Sequence, residues 1–258
     1  MQAHILPSGR GWRWLADGYG LFRRNPLMFG LLILGYWILM MLINGLPLLG
    51  PFVAPLCIPG FAVSFMNGCR DLDAGQPLTP QHLFSGFRHH PRRLVALGAV
   101  YLAATLAILG ISALLDGGGL LRMMLIGDRP DAALLSSGDF SAAVFTALLL
   151  MVPLAMAYWF APVLAGWHDL PVGKALFFSF FACLRNWRAF LVFGASLTFV
   201  GALLPGIVLG LVGAIFPQGG DFLARLLSVP LLLILAPTLF ASFYACYRDV
   251  FGGIRDTA

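Results

Sequence analysis

The sequence predicts an all-α integral membrane protein: six transmembrane helices in three hairpins, each preceded by an amphipathic interfacial helix. Three observations carry this. Of the 258 residues, 60% are hydrophobic and 10% charged, and a mean hydropathy of +0.88 describes a chain whose main solvent is lipid. Six apolar runs are each long enough to cross a hydrocarbon core of about 30 Å. A proline-broken apolar run closed by a basic residue, an aspartate and an aliphatic occurs three times, at Arg70-Asp71-Leu72, His168-Asp169-Leu170 and Arg248-Asp249-Val250. Shifting the chain by 178 residues aligns Pro59 with Pro237, Ser64-Phe65 with Ser242-Phe243, and Arg70-Asp71 with Arg248-Asp249.

In residues 11–24, Trp14, Leu15, Gly18, Leu21 and Phe22 fall on one helical face and Arg13, Asp17 and Arg24 on another. This predicts a helix lying in the interface, with tryptophans at headgroup depth, arginines in water and an Arg13–Asp17 pair one turn apart. Asn25-Pro26 breaks it. The first span covers residues 27–46 and the second turns back at once over 48–69. The connection 70–93 holds Arg70, Arg88, Arg92, Arg93 and three histidines. Within it, Thr79 as N-cap and Pro80 at the first helical position start a second amphipathic helix, which Pro91 stops. Span three is 94–115. The loop 116–139 carries four acids, two arginines and the apolar patch LLRMMLIG.

Span four, 140–167, holds Pro153 and Pro162. Residues 172–188 form the third amphipathic stretch, with Lys174, Arg185 and Arg188 on one face. Span five, 189–216, is long and glycine-rich and is expected to tilt or to kink at Pro205; its Gly206, Gly210 and Ala214 form a small-residue packing face. Span six, 226–247, contains Pro230 and Pro237 and leads into the tail RDVFGG. The three repeated units run over about 11–75, 79–171 and 172–253, within a single transmembrane domain spanning 1–258.

Charge predicts orientation. The termini and the 70–93 and 168–188 connections hold thirteen of the sixteen Lys and Arg residues, which places both termini in the cytoplasm. On a membrane protein this excess reports topology, and no nucleic-acid partner is expected. The four cysteines form no CxxC pair and read as small buried hydrophobes, with neither disulfide nor zinc spacing. The first apolar run lacks a cleavage site and is expected to remain as a helix.

Inside the six spans as drawn lies no Asp, Glu, Lys, Arg or His, which weighs against a proton-coupled pump. No catalytic motif occurs, His89-His90 lack a third ligand for a metal, and no cofactor is expected. Pro55 and Pro59 in span two, Pro153 and Pro162 in span four, and Pro230 and Pro237 in span six are helix breaks. Each proline leaves a carbonyl four residues back without its donor. A polar-ligand path along these breaks is one reading, and packed, kinked helices the favoured one.

Arg23, Arg24, Arg88, Arg92, Arg93, Lys174, Arg185 and Arg188 are the candidate lipid-headgroup contacts, each worth about 1 kcal/mol against an anionic leaflet. Arg70, Asp71, Arg248 and Asp249 are expected to form interfacial ion pairs, the aspartates reaching arginines of the amphipathic helices.

At GWRWLADGYGLFRRNPLMF, CRDLDAGQPLTPQHLFSGF and YACYRDVFGG the chain resembles an uncharacterised family of proteobacterial inner-membrane proteins, over nearly its whole length. The resemblance implies a multi-pass protein of the bacterial inner membrane and no assigned activity. More distantly, the pattern is similar to the membrane domain attached to some glycerophosphodiester phosphodiesterases. That similarity implies proximity to phospholipid metabolism, without the soluble catalytic barrel.

The leading expectation is a non-enzymatic structural or accessory protein that binds anionic phospholipid and a membrane-complex partner. The alternative is a facilitator or lipid-moving transporter using helices two, four and six. A membrane-embedded lipid enzyme built on Asp71, Asp169 and Asp249 is the third.

Overall fold

The computed structural model describes residues 3–47, 49–125, 127–128, 131–215 and 220–252, and these are helical almost throughout. Leu48, Phe216 and Gly253, which bound segments expected from the sequence, and Ile126 within the patch LLRMMLIG lie outside the described residues. The helices are α1 (Arg10–Phe22), α2 (Pro26–Asn44) and α3 (Gly50–Asp73), a 3₁₀ helix (Pro80–Arg88), then α4 (Pro91–Asp116), α5 (Gly119–Leu125), α6 (Ala132–Leu135) and α7 (Gly138–Trp159). There follow α8 (Ala161–Trp167), α9 (Val172–Arg185), α10 (Trp187–Thr198), a π-helical turn (Phe199–Leu203), α11 (Leu204–Ile215) and α12 (Gly220–Gly252). Six stretches are long and apolar enough to cross a membrane: Pro26–Asn44, Gly50–Asp73, Pro91–Asp116, Gly138–Trp167, Trp187–Ile215 and Leu226–Gly252.

The chain forms two compact units interleaved along the sequence: residues 1–39, 61–88 and 182–258, and residues 40–60 and 89–181. In the first, α1 buries the face its periodicity predicts: Trp14, Leu15, Gly18, Leu21 and Phe22 are all buried. The glycines on that face let backbones meet. A Cβ on Gly11 would lie 2.2 Å from the Ala189 carbonyl oxygen of α10, and one on Gly18 would lie 2.6 Å from the Ser242 nitrogen of α12. Neither backbone atom can move aside, so only glycine fits. Between these contacts Trp14 packs on Phe190 and Phe193, with ring centroids 5.3 and 5.7 Å away. The same unit holds Tyr36 against Phe61 and Phe65, and Phe65 stacked on Phe240 at 4.4 Å.

In the second unit, the Pro55 carbonyl, left without a helical donor by Pro59, is covered by α4. A Cβ on Gly98 would sit 2.7 Å from that oxygen. The break at Phe160 is filled by a side chain. The Ser179 hydroxyl accepts the Phe160 N–H at 2.9 Å and donates to the Met156 carbonyl at 2.8 Å, inserting itself into the helical ladder and dividing α7 from α8. Tyr158 donates to the Leu97 carbonyl at 2.9 Å.

Several expectations need correction. Helices α3 and α12 run past Cys69 and Tyr247, so Arg70, Asp71, Arg248 and Asp249 belong to the helices that carry the apolar spans, and the RDVFGG tail is helical through Gly252. Trp14 is wholly buried, so its ring is spent on protein packing and not on headgroups; of the two tryptophans of α1, only Trp12 is exposed. Residues 80–88 wind as a 3₁₀ helix. Thr79 does not cap an α-helix there, because its N–H and hydroxyl both engage His82 Nδ1, at 3.0 and 2.9 Å. The stretch 172–188 is not one helix. Asn186 interrupts it, its side chain bonding Leu6 N–H at 2.9 Å and the His4 carbonyl at 3.0 Å, so Arg188 falls in the first turn of α10. The kink expected at Pro205 appears as the π turn just before it, where Pro205 cannot donate to Gly201.

Candidate functional site

The polar centre of the first unit gathers where α1, the end of α3 and the end of α12 meet. It has an inner and an outer part. Inside, the fully buried Asp249 accepts from Arg10 Nε and Trp14 Nε1, each at 2.9 Å, and also from Arg10 Nη2, all on oxygen Oδ2. Arg10 is itself 7% exposed. These are the short distances of a desolvated, charge-assisted contact. Oxygen Oδ1 of Asp249 and Nε of Arg248, 3.7 Å apart, are both buried without a hydrogen bond among the described residues.

Outside, Arg248 reaches Asp17 at 3.4 Å through Nη2 and Asp73 at 3.5 Å through Nη1. Asp73 also accepts from the Tyr244 hydroxyl at 3.0 Å and lies 3.8 Å from Arg24. These groups line a cleft of about 210 Å³. The space exists because Ala16 and Gly20 of α1, and Ala241 and Ala245 of α12, also line it; residues four apart share a helix face, and these carry almost no side chain. Burial raises the Asp17 carboxyl above the ordinary aspartate value, against the opposing pull of Arg248.

The four residues expected as interfacial ion pairs are distributed unequally. Asp249 reaches the arginine that begins α1, across 239 positions of sequence. Asp71 is 38% exposed and meets His82 at 3.2 Å and Arg70 at 3.6 Å. Arg248 is the hub of the cleft. Asp17 pairs with Arg248, where the one-turn spacing pointed to Arg13. In the second unit Asp169 takes the third closure position and binds Arg93 and, at 3.1 Å, His90. His90 and Asp169 both hold left-handed backbone, at φ 53 and 55, a conformation that side-chain-bearing residues seldom adopt.

The candidate headgroup cations divide in two. Arg24 lies near Asp73 and Arg93 is spent on Asp169. Arg23, Arg88, Arg92, Lys174, Arg185 and Arg188 are exposed. None of those six has a carboxylate partner among the described residues. Arg23 and Arg188 lean on the rings of Tyr19 and Trp187, at 5.9 and 5.4 Å, which leaves their charge outward. The residues that sequence reasoning passed over are Arg10, Asp73, Tyr244 and Asn186. Tyr244 lies one turn before Arg248 and Asp73 one turn after Arg70 (the same faces as the closure motifs), so helical spacing held that signal. Nothing local marks Arg10 or Asn186.

An all-helical chain with six such stretches is a multi-pass membrane protein. A protein of Burkholderia thailandensis named "Probable inner membrane protein" is 42% identical over 260 residues, covering 98% of this chain and 94% of the relative. The chain belongs to that family of bacterial inner membrane proteins. No protein-family model and no solved structure matches it. The likeness to the phosphodiesterase membrane domain gains no support from these comparisons.

Proposed function

We propose that the protein is a non-enzymatic component of the bacterial inner membrane that gathers anionic phospholipid on its basic, cytoplasmic side, as a structural or accessory subunit of an envelope complex. One observation carries this reading: the cations sort into a set paired with aspartates and an exposed set, Arg23, Arg88, Arg92, Lys174, Arg185 and Arg188, without carboxylate partners among the described residues. A cation kept only for stability tends to sit beside an acid. A cation left in solvent at the margin of a membrane helix meets headgroups instead, at about 1 kcal/mol each on an anionic leaflet. The three amphipathic segments, each leading into a helical hairpin, would present these cations at the interface.

The facilitator reading needs hydrated helix breaks. At Pro55 and at Phe160 the surroundings are protein groups, Gly98 and the Ser179 hydroxyl, which favours packing over a polar path.

The test compares the native chain with a variant carrying Arg23→Gln, Arg88→Gln, Arg92→Gln and Arg188→Gln, in nanodiscs of phosphatidylcholine with a minority of spin-labelled phosphatidylglycerol. The native protein is expected to immobilise the anionic label several-fold more than the variant does. Equal immobilisation would remove the basis of the proposal.

A further inference from the structure

The exposed cations leave the cleft between α1 and α12 unexplained. A network serving only to hold helices together would be drawn tight, as Arg10 and Asp249 are, with 2.9 Å between Nε and Oδ2. The cleft pairs are looser. Arg248 stands 3.4 Å from Asp17 and 3.5 Å from Asp73, and Arg24 stands 3.8 Å from Asp73. A fully formed charge-assisted contact lies at about 2.7–2.9 Å, so these ion pairs are held less closely than the inner one, while the Tyr244 hydroxyl fixes the Asp73 carboxylate at 3.0 Å. The charged groups surround open space: a Cβ on Gly20 would meet nothing within 4 Å.

We propose that this cleft binds the phosphate–primary-ammonium zwitterion of a phosphoethanolamine headgroup, with Arg24 and Arg248 donating to the phosphate and Asp17 and Asp73 accepting from the ammonium. Charge balance argues for both ends of the ligand. A simple anion would satisfy the two arginines and be repelled by the two aspartates, and a simple cation would do the reverse. Size agrees. A cleft of about 210 Å³ falls below the roughly 300–1,000 Å³ of drug-sized ligand sites and suits a headgroup. Position agrees as well. Asp73 ends α3, and Arg248 lies in the last turns of α12, where these helices leave their apolar stretches. Asp17 and Gly20 belong to α1, which precedes the first span.

The same chemistry is offered by a membrane lipid and by a soluble phosphoethanolamine ester, and one experiment separates them. Binding of dihexanoyl-phosphatidylethanolamine to the full chain in detergent is measured by calorimetry. The same measurement is made with the phosphatidylglycerol and phosphatidylcholine analogues and with glycerophosphoethanolamine. The ethanolamine lipid is expected to bind at least ten-fold more tightly than the other two. The glycerol headgroup offers no cation, and the choline cation offers no N–H to the aspartates.

Gly20→Leu fills the cleft from a position where the added atoms meet open space. The variant is expected to keep the native melting temperature or exceed it, since leucine favours a helix more than glycine does, while losing at least ten-fold in ethanolamine-lipid affinity. Glycerophosphoethanolamine binding as tightly as the lipid would make the soluble ester a sufficient ligand. Its failure to bind would make the lipid the source. Either result keeps the headgroup chemistry. Equal affinity for the three lipids, or unchanged affinity in Gly20→Leu, would overturn the proposal. The exposed-arginine variant leaves this cleft intact and Gly20→Leu leaves those arginines intact, so the two readings fail separately.

Discussion

The Arg-Asp closure occurs twice in the first unit, at Arg70-Asp71 and, 178 residues later, at Arg248-Asp249, and the two copies do different work. Asp249 is fully buried and takes three donors from α1 on one oxygen. Asp71 is 38% exposed and meets His82 of the 3₁₀ helix and its own neighbour Arg70. The serines of the repeat part in the same way. Ser64 accepts the Gly86 N–H through its hydroxyl at 2.9 Å, whereas the backbone of Ser242 is pressed against Gly18. A repeated motif thus supplies a helix end able to receive an interfacial segment, and the segment decides how deeply the acid is buried. An α-helix with glycines at its contacts closes over the aspartate. A 3₁₀ segment bonded through side chains does not.

The comparison is broken most directly by removing the charge from each copy. Asp249→Asn leaves Arg10 buried without a counter-charge, and is expected to cost about 3–5 kcal/mol in an unfolding titration with sodium dodecyl sulfate. Adding Arg10→Gln should recover part of that loss. Asp71→Asn, at an exposed pair, is expected to cost at most about 1 kcal/mol. Equal costs at the two positions would show that the copies are equivalent after all.

The glycine contact is expected to have a smaller effect. Gly18→Ala places a methyl against the Ser242 backbone and should lower stability by about 1–3 kcal/mol in the same titration, although alanine is the better helix former. Gly20→Ala, two residues along and facing open space, should leave stability unchanged or slightly raised.

The subtlest test uses pH. Because burial raises the Asp17 carboxyl above its ordinary value of 3.8, the folded state holds that proton more tightly than the unfolded chain does. Its contribution to stability is therefore fully present below pH 3.8 and declines as pH rises through the raised folded value. Asp17→Asn removes this slope. Relative to the native chain, the variant should gain stability across that window, as read from melting temperatures at stepped pH. A gain running the other way would mean that pairing with Arg248 outweighs burial.

Much of this architecture is written locally. Spans of about twenty apolar residues announce themselves, and the face of α1 follows from spacing because its whole apolar stripe is buried, against α10 and α12 together. The paired acids were visible as a recurring motif, yet their depth was not. Hydropathy ends a span at the first charge, while a helix continues wherever its charges find partners, as it does through Asp249. The link between Arg10 and Asp249 joins opposite ends of the chain, and no local pattern encodes it. Asn186 was hidden for a related reason: the apolar period of 172–188 passes through it unbroken, and only the chain at residues 4–6, docked on its amide, explains the interruption. The 3₁₀ helix was missed because Thr79-Pro80 is an ordinary α-helix start; the decisive contact is the His82 ring turning back on Thr79.

The central claim is that exposed cations of this family member collect anionic lipid. Native mass spectrometry of the protein extracted in a lipid-retaining polymer tests it most directly. The account predicts phosphatidylglycerol or cardiolipin retained on the protein in excess over the bulk membrane, with that excess lost in the four-arginine variant. Retained lipid that matches the bulk composition, in native protein and variant alike, would contradict it.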